Sequence, residues 1–239
     1  MRRVFSKRRD MESMILTPRL ALAASLVPEG ARLADIGTDH GKLPVKLLLE
    51  GRVRSAIGSD IRPGPLAHAA RNAEEHGVIL PLRLAAGLAG IAPEECDTIT
   101  IAGMGGETIA DILAEAPWTR AGAHLLILQP MTMLPVLRLW LAANGYRTGA
   151  ECLCREGEKF YLVIAARGGG KARRLTPLEA LAPEALLADS LAEPYLAALL
   201  RRERAALRGM CAGRRVEPER IAAQQALTEA LERRLEGLK

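Results

Sequence analysis

The stretch Arg32-Leu33-Ala34-Asp35-Ile36-Gly37-Thr38-Asp39-His40-Gly41 decides the fold. Arg32–Gly37 is a compact strand-like run that stops at a glycine, and Leu43–Glu50 reads as a helix just beyond Gly41. Glycine here lets the main chain come close to a ligand. A second strand, Arg54–Asp60, ends in an acid about twenty residues after the loop. An acid at that place can accept both hydroxyls of a ribose. Strand, glycine loop, helix, strand and acid make the nucleoside-binding half of a Rossmann-like fold. Gly37 and Gly41 do not form the GxGxxG set that a dinucleotide pyrophosphate wants at a helix N-terminus. Asp39 in the loop suits a cationic or zwitterionic ligand instead. S-adenosylmethionine, with its ammonium and sulfonium groups, is one.

Working outward, the centre alternates strands and helices. Pro65–His76 is helical and closes at Gly77; Leu82–Ala85 is a short strand and Asp97–Ala102 a strand by its β-branched residues. Gly105–Ala116 reads as a helix, Ala123–Leu128 as a buried strand, and Thr132–Ala143 as a helix closed by Asn144-Gly145. This alternation predicts an α/β fold with a parallel sheet covered on both faces. Tyr146–Leu153 and Lys159–Ala166, joined by Arg155-Glu156-Gly157-Glu158, read as a hairpin, so the sheet should end in an antiparallel pair.

Gly168-Gly169-Gly170 reads as a linker. Beyond it, Pro183–Gly209 and Glu219–Leu238 are helical, and Leu227, Leu231, Leu235 and Leu238 form one apolar stripe. The expected organisation is a basic extension over 1–14, a Rossmann-like domain over 15–167 and a helical hairpin domain over 171–239.

A second chemical signal is Ala102-Gly103-Met104-Gly105-Gly106 at the end of the fourth strand. Strand carboxyl ends line the ligand crevice of an open α/β sheet, and three glycines there leave bare backbone beside it. A flat base could pack against it.

Composition narrows the function classes. Hydrophobic residues are 49% of the 239 and charged residues 26%, which excludes wholesale disorder. No apolar run reaches the roughly 18 residues of a membrane span. Met14–Leu26 is broken by Thr17, Pro18 and Arg19, so no secretory signal is read and a cytoplasmic location is expected. Cys96, Cys152, Cys154 and Cys211 form no CxxC pair, and no metal is expected. Aromatics at 3% are too few for a single-strand stacking platform. The net charge of +5 lives at the ends: residues 1–19 hold six Lys/Arg against two Asp/Glu, and residues 171–239 thirteen against ten. The centre holds fourteen against sixteen. Basic flanks around a near-neutral core fit an enzyme that grips a polyanion with its ends.

Four segments carry a resemblance to a known family: DIGTDHGKLP (Asp35–Pro44), TIAGMGG (Thr100–Gly106), LILQP (Leu126–Pro130) and NGY (Asn144–Tyr146). Together they resemble the bacterial tRNA adenine-22 N1-methyltransferases, over about Leu16 to Ala166. The resemblance implies a Rossmann-like class I methyltransferase sheet with a C-terminal, coiled-coil-like α-helical domain, S-adenosyl-L-methionine as cofactor and tRNA as partner. It implies that Asp35, Gly37, Thr38, Asp39, His40, Asp60, Ile61, Ala86, Gly87 and Gly103 form the cofactor site. Asp39 is the candidate catalytic residue. Met104, Gly105, Gly106, Gln129 and Pro130 would meet the substrate base. The family's GDGL is Ala85-Ala86-Gly87-Leu88 here, which removes an acid that would contact the adenine amino group. Its QPN is Gln129-Pro130-Met131, and its late YE is Tyr161-Leu162.

Phosphate contacts would fall to the basic ends, with Arg8, Arg9, Arg173, Arg174, Arg201 and Arg202 the leading candidates. His68 and His76, eight apart on one helix, carry no metal pattern and read as ordinary helix residues. Two other functions fit the same residues: methylation of another RNA site or a small molecule, and RNA binding without catalysis around a degenerate cofactor pocket.

Overall fold

The computed structural model describes residues 14–213 and 216–238. Its sheet has seven strands: β1 (Ala31–Ile36), β2 (Val53–Asp60), β3 (Leu82–Leu84), β4 (Thr98–Gly105), β5 (Leu125–Thr132), β6 (Arg147–Glu156) and β7 (Lys159–Arg167). Their order across the sheet is β3-β2-β1-β4-β5-β7-β6. The pairs from β3 to β5 are parallel, and β7 runs antiparallel to both β5 and β6. The Rossmann-like sheet with an antiparallel end follows the sequence reading.

The parallel strands are buried on both faces, as their apolar runs require. Leu33, Ile99, Ile101, Leu126, Ile127 and Leu128 are almost wholly excluded from solvent. Each such side chain contributes about 1.5–3 kcal/mol by leaving water. Around the sheet lie α1 (Pro18–Ser25), α2 (Lys42–Leu49), α3 (Pro63–Glu75), α4 (Gly106–Ala114) and α5 (Leu134–Ala143). The chain passes from β1 to β2 on one side, and β4 then pairs with β1 on the other. The ends of β1 and β4 thus form a topological switch point, where open α/β sheets bind ligands.

Arg138 of α5 and Glu151 of β6 form an ion pair at 2.5 Å with both side chains buried. A pair this dry fixes how the helix sits on the strand rather than adding much net stability.

The chain divides into two compact units between Arg173 and Arg174. The second contains α6 (Pro177–Leu181), a 3₁₀ turn over Glu184–Ala188, α7 (Ala192–Ala212) and α8 (Pro218–Glu236). Thr176 and Glu179 form a capping box that starts α6. α7 and α8 pack on each other, with Gln224 Nε2 donating to Glu203 Oε2 at 2.9 Å. Leu231 and Leu235 of the expected stripe are buried, while Leu227 and Leu238 are half-buried.

Three expectations need correction. The helix read as Thr132–Ala143 begins at Leu134, because Thr132 still pairs with Gly105 in the sheet. Pro135 then fits the first helical turn, where its missing N–H is not needed. The single helix read over Pro183–Gly209 is interrupted: Asp189 is extended, and its carboxylate accepts from Leu191 N at 2.8 Å before α7 begins. The Gly168–Gly170 stretch is no free linker. Gly169 N donates to Arg120 O and Gly170 N to Gly145 O, both at 2.8 Å, so the glycines are built into the first unit. The helix α1 was not read from the sequence, although Thr17-Pro18 marks its start.

Candidate active site

The site is built on the end of β1. Gly37 N and Thr38 N both donate to Ser59 O, at 2.7 and 3.0 Å, which carries the loop off the sheet beside β2. Gly37, His40 and Gly41 all have positive φ, at 74°, 57° and 62°. The loop therefore coils tightly before α2. A side chain at Gly37 has no room, since an added Cβ would lie 2.2 Å from Met104 Cε.

Asp35 is buried beneath this loop and accepts from Thr100 Oγ1 at 2.5 Å. Burial pushes its carboxyl up to about 6, opposed by the Thr100 hydroxyl. The Thr38 hydroxyl is buried beneath the same loop with no hydrogen-bond partner among the described residues. Asp39, by contrast, is open: its side chain is 69% exposed and stands 3.5 Å from His40 Nε2. Asp35, Gly37, Asp39 and His40 line a cavity of about 390 Å³ that also includes Asp60, Arg62, Gly103 and Met104.

A second cavity of about 290 Å³ shares Gly37, Asp60, Arg62 and Met104 with the first. Its wall is more apolar, with Ile61, Ala85, Ala86, Gly87 and Ile112. Asp60 stands where the two meet. Its side chain is 6% exposed, and Oδ1 accepts from Arg62 N at 2.8 Å. Oδ2 takes no hydrogen bond from the described protein and remains available to a ligand hydroxyl. Acids toward one end, an acceptor at the junction and an apolar slot beyond it suit a zwitterionic nucleoside. S-adenosylmethionine fits that donor set.

Not every expected residue reaches these cavities. Asp35, Gly37, Asp39, His40, Asp60, Ile61, Ala86, Gly87, Gly103 and Met104 line one or both. Thr38 does not: its methyl group packs against Gly58, where a Cβ would lie 2.7 Å away. Gly105, Gly106, Gln129 and Pro130 are also absent from both walls. Gly106 is pressed on Met133, whose carbonyl oxygen would meet an added Cβ at 2.4 Å. Gln129 is buried and accepts from Gly103 N at 3.1 Å while donating to Pro130 O at 3.1 Å. It braces the end of β4 at Gly103, which itself lines the first cavity.

Arg8 and Arg9 lie outside the described residues. Arg173, Arg174, Arg201 and Arg202 are all exposed, Arg202 with Glu203 at 2.7 Å. The sequence reading missed Ile15, Thr17, Arg19 and Leu20, which line the first cavity, and Asp111 of α4 with Glu115 at its C-cap, which line the second. Arg19 is held by Glu156, through its main-chain N at 2.9 Å and Nη1 at 3.0 Å. The Thr17-Pro18 cap signalled a helix there, but nothing local signalled that it faces the site.

The family described as "Methyltransferase domain" matches residues 16–164. The tRNA (adenine(22)-N(1))-methyltransferase of Bacillus subtilis is 37% identical over 163 residues, covering 67% of this chain and 68% of that protein. The solved structure of the B. subtilis m1A22 tRNA methyltransferase TrmK superposes with a TM-score of 0.76 at 29% identity, covering 95% of this chain and 98% of that one. A Streptococcus pneumoniae candidate tRNA (m1A22) methyltransferase, crystallised with S-adenosyl-L-methionine, superposes with a TM-score of 0.80 at 31% identity, over 92% of this chain and all of that one.

Proposed function

Since the chain belongs to the methyltransferase-domain family, among the tRNA (adenine-22 N1)-methyltransferases, we infer that it transfers a methyl group from S-adenosylmethionine to N1 of adenine 22 in tRNA. The observation that carries this reading is the pair of cavities meeting at Gly37, Asp60 and Met104, on the β1/β4 switch point. Asp35, Gly37, Asp39 and His40 would hold the methionine end of the cofactor, and Asp60 the ribose. Ile61, Ala86 and Gly87 would flank the adenine. Gly103 and Met104 would stand between cofactor and base. When bound, the cofactor supplies an electrophilic sulfonium methyl.

The remaining work falls to the chain. Adenine N1 carries an in-plane lone pair and needs no strong base to become a nucleophile. The protein's task is alignment, which lowers the entropic part of the barrier. N1 lies on the Watson–Crick edge, so the base must be unpaired and turned out of its stack. Methylation leaves positive charge on the base, and the exposed carboxylate of Asp39 is the group to stabilise it. Exposed Arg173, Arg174, Arg201 and Arg202 would contribute phosphate contacts. On this reading the enzyme works with tRNA in the cytoplasm. Among the described residues no helix is long and apolar enough to cross a membrane.

The test is methyl transfer from labelled S-adenosylmethionine to unmodified bacterial tRNA, with the modified base mapped. Label should appear at N1 of adenine 22. Asp39→Ala should lower kcat about 100-fold and also weaken cofactor binding, since the same carboxylate would face the methionine end. A wild-type protein that labels no tRNA would sink the reading.

A further inference from the structure

α3 carries His68, Arg71, Asn72, Glu75 and, at its C-cap, His76. Spacings of three and four put all five on one helical face. With His40, Lys42, Met14 and Ile15 they line a third cavity of about 320 Å³. It shares Ile15, His40 and Lys42 with the cofactor-side cavity, so the two open side by side.

The wall of this cavity is organised. Asn72 Nδ2 donates to His40 O at 2.8 Å, which ties α3 to the left-handed turn of the glycine loop. Arg71 Nη2 donates to His68 Nδ1 at 2.7 Å, so the ring proton of His68 sits on Nε2 and is available as a donor. The His40 and His68 rings lie 4.6 Å apart, centroid to centroid. His76 Nδ1 is engaged with Asn72 O at 2.8 Å. Lys42 and Arg71 have no ion-pair partner among the described residues, and Glu75 is the one carboxylate in the wall. The histidines do not make a metal site: no group of three or more His, Cys, Asp or Glu side chains suited to a metal occurs among the described residues. What remains is two cations without an ion-pair partner, the His68 ring N–H and a single carboxylate around a hollow that opens to solvent. That chemistry binds an oxyanion.

We propose that this cavity holds a backbone phosphodiester of the RNA strand next to the target adenine, with Arg71 and Lys42 as its cations and His68 as a further donor. This rests on the tRNA reading above. A base turned into the active site brings its flanking phosphates to the rim of that site, and this hollow adjoins the rim. Contacts there would fix the register of the strand without reading its sequence.

The test is equilibrium binding of fluorescently labelled, unmodified tRNA over a series of salt concentrations. Wild type, Arg71→Gln and Arg71→Lys are compared, with melting temperature and S-adenosylmethionine affinity measured alongside. Arg71→Gln should weaken tRNA binding about tenfold and lower the salt slope by about one. Arg71→Lys should recover most of both, and cofactor affinity should stay within about twofold of wild type. Unchanged tRNA affinity and slope in Arg71→Gln would overturn the proposal. Equal loss in both variants would overturn it too, since Arg71 would then serve only to hold His68. Preferential displacement of tRNA by adenosine monophosphate at constant ionic strength would reassign the hollow to a free nucleotide and likewise overturn it. The two readings fail separately. Loss of tRNA binding in Arg71→Gln, in a protein that methylates no tRNA, keeps the phosphate site and removes the enzymatic function. Normal methylation with an indifferent Arg71 does the reverse.

Discussion

Asp35 is the residue where the cost of the site is most visible. Its carboxyl is pushed from 3.8 up to about 6 because burial penalises the charge more than the Thr100 hydroxyl relieves it. The folded chain therefore holds this proton more tightly than the unfolded chain does. The resulting stabilisation is complete below about pH 4 and is lost as pH rises through 6. At pH 7.5 an ionised Asp35 costs the fold on the order of 3 kcal/mol. We expect Asp35→Asn to melt several degrees higher than wild type at pH 7.5 without cofactor, with the gain shrinking below pH 6 and gone by pH 4. Thermal melts at a few pH values check this, and an unchanged or lower melting temperature at pH 7.5 would refute it. The same variant should bind S-adenosylmethionine more weakly, because the charge that burdens the fold is the one that faces a cationic ligand.

At the scale of elements, glycines separate what the sequence shows from what it hides. Three glycines in a row look like a hinge, yet an added Cβ at Gly168 would lie 2.4 to 2.6 Å from the O, C and Cα of Arg120. In a free linker Gly→Ala is neutral or slightly stabilising, through the unfolded state. Here Gly168→Ala should destabilise by roughly 1–3 kcal/mol, as overpacking against backbone does. Denaturant melts measure this, and a neutral result would restore the linker. The glycine loop between β1 and α2 was legible because its signal is local: strand, glycine, acid and helix are contiguous. The acids Asp35, Asp39 and Asp60 were legible for the same reason, since Rossmann-like topology puts strand ends at the crevice. Arg19, Asp111 and Glu115 were not, because only the packing of α1 and α4 brings them there. The hollow behind His40 was missed similarly. His68 and His76 have an ordinary helical spacing until Asn72 locks their face to the loop. Conversely, Gln129 and Gly106 lie in a recognisable motif but serve the backbone of β4 and α4.

At the scale of the whole molecule, the question is how grip and chemistry are divided. The first unit holds both cofactor-side cavities, and the second holds Arg174, Arg201 and Arg202. These arginines are not equivalent. Arg202 already faces Glu203 at 2.7 Å, so removing its charge from the field of a polyanion also frees a carboxylate. Arg174 and Arg201 have no ion-pair partner among the described residues, so on the tRNA reading their full charge would be open to phosphate. Each phosphate neutralised by such a cation releases condensed counterions, which steepens the salt dependence by about one per contact on a log–log plot. The double variant Arg174→Gln/Arg201→Gln should therefore raise KM for tRNA and flatten the salt slope by up to about two. It should leave kcat at saturating tRNA, and the affinity for S-adenosylmethionine, as they are in wild type. Arg202→Gln should do less than either single change. A fall in kcat at an unmoved KM would refute this division, because the helices would then act on the alignment of the base rather than on the hold upon its strand.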